Sequence, residues 1–473
     1  MDATTPSPNM PPVEIYSQAP GVVTQTMPPP IPTPPSPKRR ISKILFIIPA
    51  ILALLAVLFF VGKSLLSRVG RGGEATITWW GLWEEESVVA PLIAEYQASH
   101  PNVKINYQKQ SPQDYRERLT NALAKGTGPD IFRFHNTWLP MFRDELSSIP
   151  ASVMSAGEFA QTFYPVATSD LTSGTGIAGI PLMYDGLALY INEEIFEKAG
   201  KSPPATWDDL RQLAIQLTSK DEQGAITQAG VALGRTENVD NWPEILGLMM
   251  LQNGVSMGSP TGKLAEDALT FFTVFSSVDA VWDATLPPST IAFSSGKLAM
   301  YFGPSWRAFE IKQQNPNLRF KTAALPQLPK SSPNEPDVSY ATYWAEGVWA
   351  RSKSSLTAWE FLKFLSSRES LAKMYQNAAK LRLFGEPYPR GDMASLLSAD
   401  PILAALVSQA PDAQSWYLAS RTFDGPTGIN SQVSKYFEDA LNAVNSGTRA
   451  DKALVTTAEG VKQVLSQYGL SRE

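Results

Sequence analysis

The chain has 473 residues, enough for two or three folding units, and its 43% hydrophobic content can fill substantial cores. A formal charge of −5 argues against a general nucleic-acid binder, which would carry a basic face. There is no cysteine, and His100 and His135 are the only histidines, so disulfides, thiolate metal sites, a cysteine nucleophile and a multi-histidine metal centre drop out together.

Residues 1 to about 37 are rich in Pro, Ser and Thr, with PPPIPTPPSP at 28–37. This composition cannot bury a core and reads as disordered or polyproline II, a solvated spacer with a proline-recognising partner as the alternative. KRRISK (38–43) then leads into ILFIIPAILALLAVLFFVG (44–62), close to the roughly 20 apolar residues needed to cross a bilayer. Pro49 is tolerable in a membrane helix. A buried soluble helix would rarely lack every polar residue. A cleaved signal peptide is opposed by the long Pro-rich leader and by VGKSLLSRVGRGG, which offers no small-x-small cleavage site. The expectation is one uncleaved signal-anchor helix with tail 1–43 in the cytoplasm. The clustered Lys38, Arg39, Arg40 and Lys43 outweigh Lys63, Arg68 and Arg71. A linker over 63–74 reaches about 20 Å and keeps an extracytoplasmic domain near the membrane.

From Ala75 the pattern alternates. ATITWWGLW (75–83) reads as a buried strand bounded by Gly81, and Val88, Val89, Leu92, Ile93 and Tyr96 have helical spacing. VKINYQ is a second strand, QDYRERLTNALAKG a helix closed by glycine, and PDIFRF a third strand. Such alternation predicts right-handed crossovers and a parallel sheet flanked by helices. The last third is mostly helical. There is no Walker loop, GxSxG, HExxH or dinucleotide fingerprint. Glu84–Glu86 could supply a glycosidase carboxylate, but that chemistry needs two carboxylates across one bond, and glutamates at a helix start also serve its dipole.

Four segments carry more information: GIPLMYDGLALYINEEIFEKAGKSPPATWDDL (179–210), FSSGKLAMYFGPSW (293–306), TAALPQLP (322–329) and YWAEGVWARSKSSLTAWEFLKFLSS (343–367). In this order and spacing, with Pro129-Asp130-Ile131 ahead of them, the chain resembles the extracellular solute-binding proteins of ABC importers, in their maltose-binding-protein-like, sugar-binding branch. The resemblance covers roughly residues 75–470. It departs in LYIN for the commoner LYYN and in lacking a lipobox cysteine, with the apolar segment in its place.

The resemblance implies an α/β, two-lobed periplasmic-binding-protein fold of type II-like form, closing over ligand by hinge motion. Hinge crossings are expected near Asp185–Leu187, Tyr301–Gly303 and Glu346–Val348. Lobe 1 is then 75–185 plus 302–346, and lobe 2 is 186–301 plus 347–473. It further implies capture of a carbohydrate, an oligosaccharide in particular, and delivery to ABC permease subunits by a monomer with no catalysis, cofactor or metal. A signalling or adhesion receptor on the same fold and a carbohydrate-active enzyme are the alternatives, and another polar solute is an alternative ligand.

Sugar recognition uses flat aromatic faces and planar polar groups. Trp83 and Glu84 follow Gly81 at the carboxyl end of a strand, where a cleft between α/β lobes forms. Asn136 and Trp138 occupy the same place after PDIFRF. Trp242 in VDNWPEI is a candidate from the second lobe, with packing at a helix start as the other reading. Asp185, Ser305, Trp306, Trp344 and Glu346 match family positions near the cleft, with Arg382 and Arg421 as weaker candidates. Trp79, Trp80, Trp207 and Trp359 are expected to be structural.

Overall fold

The computed structural model describes residues 74–470 other than 175, 331 and 333; the Pro-rich tail and the apolar segment 44–62 lie outside the described residues. Among the described residues no helix is long and apolar enough to cross a membrane.

Strand and helix signals resolve in chain order. The first layer is built from β1 (Ala75–Gly81), α1 (Glu86–Ser99), β2 (Val103–Lys109), α2 (Tyr115–Ala124) and β3 (Ile131–His135). The spaced residues Val88, Val89, Leu92, Ile93 and Tyr96 are those α1 buries. There follow β4 (Ile180–Pro181), β5 (Ala188–Asn192), α3 (Trp207–Leu217), β6 (Ile226–Val231), α4 (Trp242–Gln252) and α5 (Lys263–Ser277). Next come β7 (Leu298–Gly303), α6 (Arg307–Gln314), β8 (Phe320–Ala323), β9 (Trp344–Val348), α7 (Ser355–Leu365) and α8 (Arg368–Ala379). The helices α9 (Ile429–Asn445) and α10 (Ala450–Gln467) end the described chain.

Two five-stranded sheets form the two lobes, both within the unit Gly72–Glu473. The first has the order β2-β1-β3-β9-β4; the second runs β8-β5-β7-β6 and ends on Ser219–Lys220. β1 is parallel to both β2 and β3, as the alternation predicts. β9, however, runs antiparallel to β3 and β4. It arrives from the other lobe and not through a helical crossover, so the parallel rule does not bind it. In the second sheet β5 is antiparallel to β7 and β8, and β6 is parallel to β7.

These pairings redraw the expected lobe boundaries. The first crossing falls between β4 and β5, around Asp185–Leu187. The chain does not return at 301–303, because β8 adds to the outer edge of the second sheet, Phe320 opposite Asn192. It returns between Ala323 and Trp344, so β9 lies wholly in the first sheet. α7 packs on β9 and α1, and α8 on α1, so residues 355–379 belong to lobe 1 and not lobe 2. α9 and α10 pack on α5 in lobe 2.

The hinge is a backbone ladder. Leu187 N–H donates to the Tyr340 carbonyl (2.8 Å), Thr342 N–H to the Asp185 carbonyl (3.0 Å), and Ala341 N–H to the Gln414 carbonyl (2.8 Å). A Cβ at Gly186 would collide with the Tyr340 carbonyl oxygen, which explains the glycine of DGL.

α3 illustrates how local signals hold the frame. Thr206 accepts a hydrogen bond from Asp209 N–H (3.1 Å), and Trp207 at the first position is buried, 3% exposed. Thr206→Ala is expected to cost about 1 kcal/mol of stability in chemical denaturation, the usual worth of an N-cap. Trp359, inside α7, is completely buried and donates Nε1–H to Ser147 Oγ at 3.0 Å.

Candidate ligand-binding cleft

The carboxyl ends of β1 and β3 face the second lobe across a cavity of about 330 Å³. On the lobe 1 side β1 stops at Gly81, where the Tyr107 ring fills the place of a Cβ, and Trp83 turns into the cavity. Trp83 meets Trp344 edge to face at 5.6 Å and Phe423 at 6.0 Å. Behind it Trp344 contacts the edges of His135 (5.1 Å) and Trp138 (5.3 Å). On the lobe 2 side the segment after β7 presents Pro304, Trp306, Phe309 and Glu310, and the start of α4 presents Asn241 and Glu244. The loop before α9 adds Ser420, Arg421 and Phe423, while Arg382 and Glu386 close the remaining side. Five aromatic rings thus alternate with charged groups around one space.

The charges are arranged in pairs with two exceptions. Arg421 bonds Glu310 (3.2 Å) and lies over Trp306 at 5.4 Å, and Arg307 lies over the same ring at 4.5 Å. Arg382 bonds Glu386 (2.6 Å) and covers Phe309 at 5.1 Å. Asp185 has no cation; it accepts from Gly186 N–H (2.7 Å), Ser305 N–H (2.9 Å) and Ser305 Oγ–H (2.8 Å). Burial outweighs those donors and pushes its pKa up to about 7. Glu244 also lacks a cation, and burial raises its pKa against donors from Ser420, its own N–H and Asn241. His135 is pushed down to about 3 by burial and is neutral, with Thr137 Oγ1 (2.8 Å) and Thr342 Oγ1 (3.0 Å) at its ring nitrogens. No group of three or more metal-ligating side chains is placed to hold a metal among the described residues.

Four of the ten residues expected at a ligand line this cavity: Trp83, Asp185, Trp306 and Trp344. Ser305 stands one step behind, holding Asp185. Glu84 turns away from Trp83 into a buried triad in which Arg133 bonds Glu84 (2.5 Å) and Glu346 (2.6 Å). Glu346 also accepts from Trp79 Nε1–H at 3.1 Å. Asn136 is buried, donating to Asp170 (2.9 Å) and accepting from Tyr343 N–H (3.2 Å). Trp138 is fully buried against Tyr115 and Phe142, and Trp242 packs into the core at the start of α4. Trp79 is wholly buried, whereas Trp80 is only half-buried and donates to Gln108 (2.9 Å).

The weaker candidates Arg382 and Arg421 both line the cavity, as do Glu244, Phe309, Glu310, Glu386 and Phe423, which sequence reading passed over. Glu244 carried a signal, since it lies two positions beyond Trp242 in the same first turn, about 200° round the helix. Phe423 and Glu386 sit in irregular segments with no periodicity to orient them.

Two α/β lobes joined by a short backbone ladder, with a polar-aromatic cleft between them, define a two-lobed solute-binding protein. A family model described as bacterial extracellular solute-binding protein matches residues 82–372, and the chain belongs to that family. A Brucella abortus relative named only as a binding protein is 24% identical over 370 residues, covering 75% of this chain and 86% of its own. The diacetylchitobiose binding protein DasA of Streptomyces coelicolor is 22% identical over 317 residues, 63% of this chain and 70% of that one. The sugar-binding protein MalE of Xanthomonas citri superposes with a TM-score of 0.68 at 20% identity, over 84% of this chain and all of that structure.

Proposed function

We propose that this protein captures a carbohydrate, an oligosaccharide in particular, in the interlobe cleft and hands it to the permease of an ABC importer. The observation that carries this reading is the aromatic wall built from both lobes, Trp83 and Trp344 on one side and Trp306 and Phe309 on the other. Flat rings suit the C–H faces of a sugar, and carboxylate and guanidinium edges suit its hydroxyls. Family membership and relatives named for diacetylchitobiose and for sugars support the same reading. In it, Trp83, Asp185, Trp306 and Trp344 touch ligand. Ser305 orients Asp185, and Glu84, Asn136, Trp138, Trp242 and Glu346 hold the wall from behind. The apolar segment 44–62 anchors the domain outside the cytoplasm. Groups contributed by both lobes mean that ligand favours the closed state, the form that docks on a permease.

Titrating the purified full-length protein with maltotetraose, mannotriose and diacetylchitobiose tests this. A saturable change in tryptophan fluorescence with at least one of them, and no turnover of it, is the expected result. Thermal stabilisation by polyamines or peptides but by none of these sugars would sink the carbohydrate assignment.

A further inference from the structure

Glu244 sits in the first turn of α4, is 1% exposed, and lines the cleft. Its two carboxylate oxygens have different surroundings. Oε1 accepts from Ser420 N–H (2.6 Å) and Ser420 Oγ–H (2.8 Å). Oε2 is buried on the cleft wall and accepts no hydrogen bond, although Asn241 and the residue's own N–H also lie near the carboxylate. A buried acceptor left unmade costs about 1–3 kcal/mol, and more when charged. The other acidic residues of the cleft differ: Glu310 and Glu386 bond arginines, and both Asp185 oxygens accept from neighbouring donors. The loop that grips Oε1 is itself unusual. Arg421 (φ 52°) and Phe423 (φ 55°) are left-handed without being glycine, and both side chains face the cavity.

We propose that Glu244 is a specificity-determining residue whose free Oε2 accepts a hydrogen bond from one hydroxyl of a carbohydrate ligand, with Ser420 fixing the carboxylate's orientation. This rests on the carbohydrate reading and sharpens it, because it assigns one acceptor on the lobe 2 wall to one ligand donor. A site built to bond a hydroxyl rejects the analogue that lacks it, since the buried acceptor is then stranded. The ligand hydroxyl also joins lobe 2 to a sugar whose faces rest on Trp83 and Trp344, so this bond favours closure.

Glu244→Gln isolates the acceptor. Ser420 N–H can only donate, so the amide oxygen must face Ser420 and the NH₂ group must replace Oε2. The NH₂ can then only donate to the hydroxyl's oxygen, a neutral bond weaker than the one a carboxylate accepts from its O–H. The full-length protein and Glu244→Gln are titrated with whichever of maltotetraose, mannotriose and diacetylchitobiose binds the parent, and with the monodeoxy analogues of that sugar. Affinity is expected to fall at least tenfold in the variant, with Tm equal to or above the parent's. One monodeoxy analogue should lose affinity for the parent and lose clearly less for Glu244→Gln, whose neutral amide bonds that hydroxyl more weakly. That selective reduction supports the proposal even if the variant's Tm falls, because a general packing defect would weaken every analogue alike. Equal binding of the parent sugar by both proteins overturns the role of Glu244 and leaves the carbohydrate reading standing, as does loss of affinity shared evenly across the analogues. Failure of the parent to bind any of the three sugars overturns the carbohydrate reading and this assignment with it.

Discussion

Arg133→Met is expected to destabilise the folded domain by about 3–5 kcal/mol, the cost of breaking a buried ion pair by removing one partner. Arg133 is 1% exposed and lies between Glu84, 3% exposed, and Glu346, completely buried. Its Nη1–H donates to Glu84 Oε2 at 2.5 Å, and Nε–H and Nη2–H reach Glu346 Oε1 at 2.7 and 2.6 Å. Burial, with the Glu84 carboxylate adding to it, raises the Glu346 pKa, and the guanidinium is the largest influence opposing it. Removing Arg133 strands two carboxylates in a low-dielectric interior, where no water can replace the lost donors. Adding Glu84→Gln and Glu346→Gln to Arg133→Met should recover part of the loss, since the penalty lies mostly in the uncompensated charges. Urea denaturation of the full-length protein at pH 7 measures both. A loss below about 1 kcal/mol for the single variant would mean that water reaches the triad. The effect extends to the cleft, because Glu84 is bonded to Trp83 through the chain and a freed Glu84 lets that wall move.

The same triad marks how far a single sequence can be read. The turn after β1 was legible as a position at the strand's carboxyl end that faces between the lobes, and Trp83 does line the cavity. Its neighbour Glu84 was not legible, because its direction depends on Arg133, 49 residues on, and that arginine's other partner lies 213 residues further. Inside β3, Arg133 looks like an outward-facing strand residue, and only the arrival of β9 encloses it. Lobe assignment followed the same logic. The crossing at Asp185–Leu187 could be read because a glycine-bearing strand junction is local. The placement of Phe320–Ala323 could not, because it depends on pairing with β5 about 130 residues earlier. Helix positions, caps and core tryptophans such as Trp207 and Trp359 come from local pattern and burial, and those were readable. Trp306 was found by motif, but not the two guanidinium groups against its ring, since Arg421 comes from a loop more than a hundred residues later.

Asp185→Asn is expected to remove a large pH dependence of stability, and the sign follows from linkage. The folded pKa, about 7, lies above the ordinary value of 3.8. The folded protein therefore holds a proton that the unfolded chain has released between those values. The contribution to stability is complete below about pH 4 and is lost as pH rises through 7. By pH 8 the charged, buried side chain costs the parent on the order of 4 kcal/mol relative to acid conditions. Asp170, raised to about 6 by burial, has the same sign and remains in the variant. Asparagine keeps an oxygen for Gly186 N–H and Ser305 N–H, and Ser305 Oγ can accept from its NH₂. The two proteins should unfold alike at or below about pH 4 and diverge progressively up to pH 8, the variant being the more stable. Parallel curves across that range would show that Asp185 does not titrate there. The location of the group turns this into a functional readout. Asp185 sits on the hinge, its carbonyl bonded by Thr342 N–H, and its carboxylate faces the cleft with three protein donors already in place. A ligand hydroxyl arriving as a fourth donor favours the charged form, so binding near pH 7 should release a proton. Calorimetric enthalpies measured in buffers of different ionisation heat should then differ for the parent and coincide for Asp185→Asn, which has no proton to lose.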